Sequence, residues 1–250
     1  MYLSIIIPAY NEEKRLPKTL SEIDNYLKKQ SYPSTGSGGP DYEIIVVSDG
    51  SKDKTAEVAK NLQSQIKNLK IIDNKENHGK GYVVKQGMLA ASGDYRLFTD
   101  ADNSTSIDQV EKMWPEFKKG FDMVIGSRDI KGAVLDPPQP ITRRFTGEGF
   151  KFYRKIIIGL WGLEDTQCGF KGITKAAVEK IFPKCRVDRF SFDPEILVLA
   201  KKMGYKIKEV PIHWKNDLET KVKFTSMIKM AIDLIQIRIN SLKGLYGKRD

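Results

Sequence analysis

Five short apolar runs, most of them rich in β-branched residues, recur along the first half of this 250-residue chain, and helical patterns separate them. The runs are Ser4–Pro8, Tyr42–Val47, Leu69–Ile72, Tyr95–Phe98 and Asp122–Ile125. The helical patterns are Leu16–Lys29, Thr55–Ile66, Lys80–Ala91 and Ser106–Lys118. Apolar runs without polar alternation are typical of parallel strands that are buried on both faces. Because these strands alternate with helices, the sequence predicts a doubly wound α/β domain over residues 1–130.

The composition is that of a globular protein large enough to bury a sizeable core, with 40% hydrophobic and 30% charged residues. We expect no membrane-spanning helix, because no uncharged apolar run reaches about 18 residues. We also expect no signal peptide, because the first apolar run begins close to Met1. Cys168 and Cys185 are too few for a disulfide framework and lack metal-ligand spacing, which favours a reducing cytoplasm.

Basic residues are in excess, with 42 Lys and Arg against 32 Asp and Glu, and the formal net charge is +10. Such a surface attracts nucleic acid, anionic lipid or phosphorylated ligands. We expect no nucleic-acid partner, because the sequence has no helix-turn-helix, zinc-finger or aromatic RNA-binding signature. The basic residues gather towards the C-terminal half, which suits a membrane surface.

The C-terminal part of the chain begins with residues 131–145, where three prolines predict a mobile loop without regular structure. Two apolar helices are predicted beyond it, Phe145–Leu163 and Phe224–Leu242. Each combines a wide apolar arc with a narrow polar stripe, a pattern found both in deeply packed helices and in interfacial ones. The basic residues that flank both helices favour the membrane interface.

Asp100 and Asp102 follow the strand predicted at Tyr95–Phe98, with one alanine between them. In an open α/β sheet, ligands bind at the carboxyl ends of the strands. Two carboxylates at this spacing can hold a hard divalent cation, which in turn can hold a diphosphate. The alternative is a strand-end aspartate that only caps the next helix.

Three loops near this position contain residues suited to a nucleotide. The segments are Pro8–Glu13 (PAYNEE), Ser48–Thr55 (SDGSKDKT) and Asn77–Gly81 (NHGKG). Acidic side chains in the first two can accept hydrogen bonds from a base or a ribose hydroxyl, although helix capping explains many of them equally well. In the third, glycines and a helix N-terminus favour a phosphate, and Lys80 adds a positive charge. The spacing fits neither a P-loop nor GxGxxG, which counts against a dinucleotide cofactor.

The order of these motifs, completed by Gly126-Ser127-Arg128, resembles the inverting family 2 glycosyltransferases of the GT-A fold over the whole chain. Later segments narrow the resemblance to the polyprenyl-phosphate branch. They are Asp165–Lys171 (DTQCGFK), Phe192–Glu195 (FDPE), Val210–Trp214 (VPIHW) and Met227–Arg238. The chain is most similar to the dolichyl-phosphate β-glucosyltransferases, and the polyprenyl-phosphate mannosyltransferases are near relatives.

The resemblance implies a Rossmann-like GT-A fold, with a mostly parallel central sheet covered by helices on both faces. It implies a glycosyltransferase domain over 1–223, divided into a nucleotide-sugar half, 1–130, and an acceptor half, 131–223. Residues 224–250 form the C-terminal amphipathic helix and basic tail. The departures from the family pattern are Ser48, Asn103 and His213, where the branch commonly has Asp, Gly and Asn. His213 is either a packed, hydrogen-bonded residue or a donor-site ligand.

Site residues are carried over from the resemblance position by position. Those expected at the nucleotide sugar are Pro8, Ala9, Tyr10, Glu12, Asp49, Gly79, Lys80, Asp100 and Ala101. Those expected at the acceptor are Ser127, Arg128, Gln167, Gly169, Arg143 and Lys221. The expected catalytic residues are Asp100, Asp102, Arg128 and Asp165, and Asp102 with Asp100 is expected to hold Mg²⁺ or Mn²⁺.

The implied reaction moves a hexose from a nucleotide diphosphate sugar to a polyprenyl or dolichyl phosphate. UDP-glucose is favoured as donor, and two alternatives remain: GDP-mannose as donor, and a soluble saccharide or alcohol as acceptor. A phosphate oxygen is already anionic at neutral pH, so a strong general base is less necessary than for an alcohol. Asp165 is the candidate base for an alcohol acceptor. We expect no membrane anchor of the kind usual at the amino end of this branch, and we therefore expect peripheral association with the cytoplasmic face of a membrane.

Overall fold

The computed structural model describes residues 2–32, 41–137, 141–215 and 224–247, without the side chains of 141–146 and 224–227. Its strands are β1 Leu3–Ala9, β2 Tyr42–Asp49, β3 Leu69–Asn74, β4 Tyr95–Thr99, β5 Met123–Ser127, β6 Val134–Asp136, β7 Phe170–Thr174, β8 Ile207–Pro211 and β9 His213–Lys215. Its α-helices are α1 Leu16–Leu27, α2 Thr55–Leu62, α3 Lys80–Ala90, α4 Trp114–Lys118, α5 Ile141–Ile158, α6 Lys175–Ile181, α7 Phe192–Lys202 and α8 Phe224–Leu242. Short segments of 3-10 helix cover Ile107–Lys112 and Phe182–Lys184.

Seven strands form one sheet in the order β3-β2-β1-β4-β7-β5-β8, and β6 pairs with β9 in a second, two-stranded sheet. The pairs among β1 to β4 are parallel, as is the pair of β5 with β8. Only β7 runs antiparallel to its neighbours in the large sheet. The five strands predicted from apolar runs are β1 to β5, so the prediction of an α/β fold with a mostly parallel sheet is confirmed.

The alternating side chains of β1 and β2 enter two separate hydrophobic clusters, one on each face of the sheet. Ile6 and Val47 pack with α3 residues such as Val84 on one face. Ile7 and Val46 pack with α1 residues on the other. Because both faces are covered by helices, every residue of β1 and β2 is buried, which explains their continuous apolar runs.

The sheet order places a topological switch point between β1 and β4. The chain passes from β1 to β2 and β3 on one side, then returns to add β4 on the other side of β1. The loops that leave these two strands therefore diverge and open a crevice at their carboxyl ends, where α/β proteins bind ligands. Because β7 is antiparallel, its first residue, Phe170, pairs with Thr99 at the end of β4. The segment before β7 therefore reaches the same crevice.

Residues 131–145 were expected to have no regular structure, and this expectation is wrong in two places. Val134–Asp136 forms β6, which pairs with β9 through the register Val134 to His213. Helix α5 begins at Ile141 and ends at Ile158, earlier at both ends than the predicted Phe145–Leu163. Strand β6 could not be foreseen locally, because its partner lies about 80 residues away in the sequence.

The helix predicted over Ser106–Lys118 is also divided in the structure. A 3-10 segment, Ile107–Lys112, precedes α4, which starts at Trp114. Pro115 lies in the first turn of α4, where its missing N–H costs no intrahelical hydrogen bond. The proline therefore starts a new helix and does not continue the preceding one.

Helix α8 packs one side on the domain and exposes the other. Leu234 and Ile237 are fully buried, and the Tyr153 hydroxyl of α5 donates to the carbonyl of Ala231 at 3.1 Å. The exposed apolar residues of α8 are Ile228, Ile232, Ile235, Ile239 and Leu242. Asn240, a polar residue near the end of the helix, is buried as well. Within the parts of the chain that the structure describes, neither this helix nor any other is long and apolar enough to cross a bilayer.

Candidate active site

The loops after β1 and β2 are joined by hydrogen bonds at the switch point. The N–H of Glu12 donates to Thr55 Oγ1 at 2.7 Å, and the N–H of Lys52 donates to Asn11 Oδ1 at 2.8 Å. Asn11 adopts a left-handed backbone with φ 55°, a conformation that asparagine tolerates better than most residues. The two predicted loops therefore form one wall of the crevice.

Four predicted nucleotide-sugar residues lie in or next to this wall. Pro8 and Ala9 are buried at the end of β1, whereas Tyr10 is 39% exposed. Both carboxylate oxygens of Glu12 accept hydrogen bonds from Arg15, each at 2.7 Å. The exposed ring of Tyr10 is the part of this group with the most surface available to a ligand.

Asp49 ends β2 and fixes the glycine-containing loop that follows β3. Its Oδ1 accepts a hydrogen bond from the N–H of His78 at 2.7 Å. Its Oδ2 accepts from the N–H of Gly79 and from Asn77 Nδ2, both at 2.9 Å. Gly79 has φ 110°, which a residue with a Cβ rarely adopts. The predicted nucleoside residue Asp49 is thus also the anchor of the loop that starts α3.

Lys80, the first residue of α3, joins this loop to the aspartate pair after β4. Lys80 Nζ lies 2.6 Å from Asp100 Oδ1. Burial by itself would lower the pKa of Lys80, but the charges of Asp100 and Asp193 outweigh it and hold that pKa above its ordinary value. Lys80 is therefore a permanent cation within the crevice.

The backbone around Asp100 and Asp102 is fixed from two sides. The Thr19 hydroxyl of α1 donates to the carbonyl of Ala101 at 2.8 Å, and Asp102 Oδ1 accepts from the N–H of Ser104 at 2.9 Å. Burial and the neighbouring charge of Asp100 raise the pKa of Asp102. Burial is the larger of these two causes, so the ionised form of Asp102 is poorly solvated in this position.

The donor set of Asp100 and Asp102 fits a hard divalent cation that shares its ligands with a diphosphate. Carboxylate oxygens are the ligands that Mg²⁺ and Mn²⁺ prefer, and Mg²⁺ is commonly bound by one or two carboxylates with substrate phosphates. Among the described residues there is no cluster of three or more His, Cys, Asp or Glu side chains that would hold a metal without a substrate.

Arg128 and Asp165, both predicted from the sequence, form a bidentate ion pair on the other side of the crevice. Arg128 Nε lies 2.7 Å from Asp165 Oδ2, and Nη2 lies 2.9 Å from Oδ1. The guanidinium also lies over the ring of Trp214, 5.4 Å from its centroid. Burial alone would raise the pKa of Asp165, but Arg128 outweighs it and holds that pKa well below its usual range.

The segment between Asp165 and β7 reaches the aspartate pair through Gly169. A Cβ at this position would overlap the Asp100 carboxylate, so only glycine allows this approach. The N–H of Gln167 donates to Asp165 Oδ1 at 3.1 Å. Burial raises the pKa of Cys168 to about 12, which agrees with a small buried thiol and not a reactive one.

Three predicted acceptor residues, Ser127, Arg143 and Lys221, have no exposed side chain among the described residues. Ser127 is fully buried, and its hydroxyl accepts from the N–H of Asp129 at 3.4 Å. Arg143 lies in α5, but its side chain is outside the described residues, as is the whole of Lys221. The ring nitrogen Nε2 of His213 is buried and has no partner among the described residues. The backbone N–H of His213 donates to Gln109 Oε1 at 3.0 Å.

Sequence reasoning missed a buried ion pair beneath the site. Lys171 of β7 is fully buried, and its ammonium lies 2.5 Å from both Asp193 Oδ1 and the carbonyl of Cys168. A lysine in the middle of a buried strand was a detectable signal, because such a charge is rarely buried without a partner. Asp193 belongs to the FDPE segment, to which the sequence assigned no role.

Comparison with known proteins identifies the family. Residues 4–182 match the family described as glycosyl transferase family 2. The chain belongs to glycosyltransferase family 2. A dolichyl-phosphate β-glucosyltransferase of Trichomonas vaginalis is 40% identical over 255 residues, covering 100% of this chain and 77% of that protein. The Homo sapiens enzyme of the same name is 34% identical, covering 98% of this chain and 77% of its own. The predicted family and branch are therefore confirmed.

Solved structures confirm the GT-A fold of this glycosyltransferase. The mannosyl-3-phosphoglycerate synthase of Rubrobacter xylanophilus has a TM-score of 0.69 at 16% identity, covering 97% of this chain and 74% of that one. The glucosyl-3-phosphoglycerate synthase of Mycobacterium tuberculosis has a TM-score of 0.65 at 15% identity, covering 100% and 80%. The latter was crystallised with Mn²⁺, uridine diphosphate and phosphoglyceric acid.

Proposed function

We propose that this glycosyltransferase moves glucose from UDP-glucose to dolichyl phosphate with inversion at the sugar. The observation that carries the proposal is the juxtaposition of Lys80, Asp100 and Asp102 at the β1/β4 switch point. That arrangement suits a metal-bound diphosphate. Identities of 40% and 36% with two dolichyl-phosphate β-glucosyltransferases, over 100% and 98% of this chain, support glucose as the sugar and a lipid as the acceptor.

The donor diphosphate is expected to lie between α3 and the aspartate pair. Asp102, together with Asp100, would hold Mg²⁺ or Mn²⁺, and this cation would offset the negative charge that develops on the leaving nucleoside diphosphate. Lys80 adds a fixed positive charge from the N-terminus of α3, where backbone N–H groups also favour an anion. Tyr10 and the loops fixed by Asp49 would surround the nucleoside.

The acceptor phosphate is expected on the side of Arg128. Two anions must approach each other in this reaction, and a guanidinium held over Trp214 offsets their repulsion. Asp165 is ionised and engaged by Arg128 through both oxygens, so we assign it the positioning of Arg128 and not proton removal. A phosphate oxygen needs no strong base, and the weak basicity of Asp165 is consistent with such an acceptor. Gln167, Gly169, Arg143 and Lys221 complete the proposed acceptor side.

We also propose that α5 and α8 contact the cytoplasmic surface of an anionic membrane. Exposed apolar residues lie on both helices and just after α5, among them Phe152 at 62%, Trp161 at 58% and Ile232 at 59%. The exposed basic residues of the α8 region, Lys229, Arg238 and Lys243, complement anionic headgroups. A lipid acceptor requires access to a bilayer, and this apolar, basic surface supplies it.

A transfer assay with two donors tests the proposed function. UDP-glucose and GDP-mannose are offered separately with a short polyprenyl phosphate and Mg²⁺ or Mn²⁺, and an Asp102→Ala variant runs alongside. Metal-dependent glucose in the lipid product, lost in the variant, is the expected result. Transfer of mannose would mean that the donor is GDP-mannose and not UDP-glucose. A protein that binds UDP-glucose yet glucosylates only saccharides or alcohols would overturn the lipid acceptor.

A further inference from the structure

The amino end of α3, which carries Lys80, is packed against residues 185–189. The N–H of Tyr82 donates to the carbonyl of Asp188 at 3.0 Å, and Lys85 Nζ donates to the carbonyl of Cys185 at 2.9 Å. A Cβ at Gly81 would lie 2.5 Å from the carbonyl oxygen of Val187, which leaves no room for a side chain. The position of the 185–189 segment therefore sets the position of the first turn of α3.

Glu195 holds this segment from the other side. The N–H of Arg186 lies 3.0 Å from both carboxylate oxygens of Glu195, and the N–H of Val187 lies 3.0 Å from Oε2. Glu195 is fully buried in the first turn of α7. Burial raises the pKa of this carboxyl group. A buried carboxylate is costly without hydrogen bonds, and here the bonds that satisfy it fix an irregular segment.

Tyr246, beyond the end of α8, is hydrogen-bonded to Glu195. Its hydroxyl donates to Glu195 Oε1 at 2.8 Å, and Asn240 Nδ2 donates to the same hydroxyl oxygen at 3.4 Å. Tyr246 is fully buried and packs in the same hydrophobic cluster as α3 and α7. The C-terminal helix is thereby connected to the donor side of the crevice through one hydroxyl, one carboxylate and two backbone amides.

We propose that Glu195 and Tyr246 are positioning residues for the nucleotide-sugar site. Through residues 185–189 they set where Lys80 lies relative to Asp100, a contact of 2.6 Å that a small shift of α3 would lengthen. An apolar pair in their place would fill the same space, but it could not hold the amides of Arg186 and Val187. The inference rests on the proposed function only in taking the Lys80–Asp100 crevice as the donor site.

Two conservative variants of the full chain test the proposal. Tyr246→Phe removes one oxygen atom, and Glu195→Gln keeps the shape of the side chain. Each should weaken UDP-glucose binding about three- to tenfold, measured by calorimetry with Mn²⁺, because one buried hydrogen bond of the arrangement is lost. The KM for polyprenyl phosphate should stay within about twofold of the wild-type value. Tyr205→Phe, which removes a hydroxyl that donates to the carbonyl of Ala176, serves as the matched control.

If Tyr246 and Glu195 only stabilised the fold, their variants would lower thermal stability but would not weaken donor binding more than acceptor binding. To separate the two, Tyr246→Phe is combined with Lys80→Met, and we expect the double variant to bind UDP-glucose no more weakly than Lys80→Met alone. Additive losses, equal losses for donor and acceptor, or unchanged donor binding would each overturn the proposal. If Glu195→Gln does not fold, the result with Tyr246→Phe decides. A wild-type protein that binds no UDP-glucose would instead overturn the proposed function, and this inference with it.

Discussion

Lys80 Nζ lies 2.6 Å from Asp100 Oδ1, so the loop that follows β3 and the aspartate pair that follows β4 are joined by a single ion pair. Both side chains are about one-third exposed or less. The pair keeps a cation and a carboxylate at the centre of the crevice, where each would act on a different part of a nucleoside diphosphate sugar. The effects of removing each charge can therefore be distinguished.

Replacing Lys80 by methionine should weaken binding of UDP-glucose about 10- to 100-fold. The estimate follows from the loss of one charge-assisted contact to a phosphate, at about 1.5–3 kcal/mol. Lys60→Met is the control, because Lys60 also pairs with an aspartate, Asp73 at 3.1 Å, but on the exposed surface of α2. Wild-type donor affinity in Lys80→Met, measured by calorimetry, would contradict the role assigned to this ammonium.

Replacing Asp102 by asparagine should raise the metal concentration needed for half-maximal transfer by at least about tenfold, because losing even a residue that only orients a metal ligand costs about 10- to 100-fold at other metal sites. Binding of Mn²⁺ in the presence of UDP, followed by electron paramagnetic resonance, measures the same loss without turnover. Asp108→Asn is the matched control, since Asp108 is exposed in the 3-10 segment that follows. The hypothesis fails if both variants have the same metal dependence.

The Arg128–Asp165 pair predicts a specific pH dependence of stability. Arg128 depresses the pKa of Asp165 in the folded state, so the unfolded state binds the proton more tightly. The stabilisation is therefore complete above the unfolded value of about 3.9 and is lost as the pH falls further, through the folded pKa.

Asp165→Asn should accordingly lower the free energy of unfolding by about 3 kcal/mol at neutral pH, as breaking a buried ion pair does. The difference in Tm between wild type and variant should stay constant from pH 5 to 8 and shrink only below about pH 4. A difference that changes near neutral pH would show that Asp165 titrates there and could serve as a base.

Much of the fold was accessible from the sequence because its signals are local. Strands β1 to β5 appear as apolar runs, and α1 and α3 follow helical periodicity to within one or two residues. Strand β7 was not predicted, because it is antiparallel between β4 and β5 and its place depends on pairings across the chain. The β6–β9 pairing was missed for the same reason.

In the candidate site, too, the sequence revealed the residues with local signals and missed those that depend on long-range contacts. The motifs located Lys80, Asp100, Asp102 and Arg128, because each lies in a loop directly after a strand or at the start of a helix. No pattern indicated that Tyr246 would contact Glu195, a residue 51 positions earlier. Such contacts follow from the packing of α7 against α8, which local periodicity cannot reveal.

The exposed apolar face of α8 predicts that this glycosyltransferase binds the membrane surface through that helix to reach its lipid acceptor. Ile232 is 59% exposed, and its replacement by glutamate should weaken binding to anionic liposomes about tenfold, because one apolar side chain is withdrawn from the interface and a like charge is added. Leu89→Glu is the control, as Leu89 is 41% exposed but belongs to α3 and not to α8. Flotation of the purified chain with liposomes, at low and high salt, measures the effect.

Kinetics then separate membrane contact from chemistry. Ile232→Glu should raise the KM for a long polyprenyl phosphate in liposomes, whereas transfer to a short, water-dispersed polyprenyl phosphate should keep its wild-type rate. This difference is expected because Ile232 lies on α8 and none of the donor or acceptor residues assigned above belongs to that helix. Equal loss with both acceptors would mean that the substitution disturbs the site itself. Undiminished liposome binding would instead show that this face of α8 does not contact the membrane.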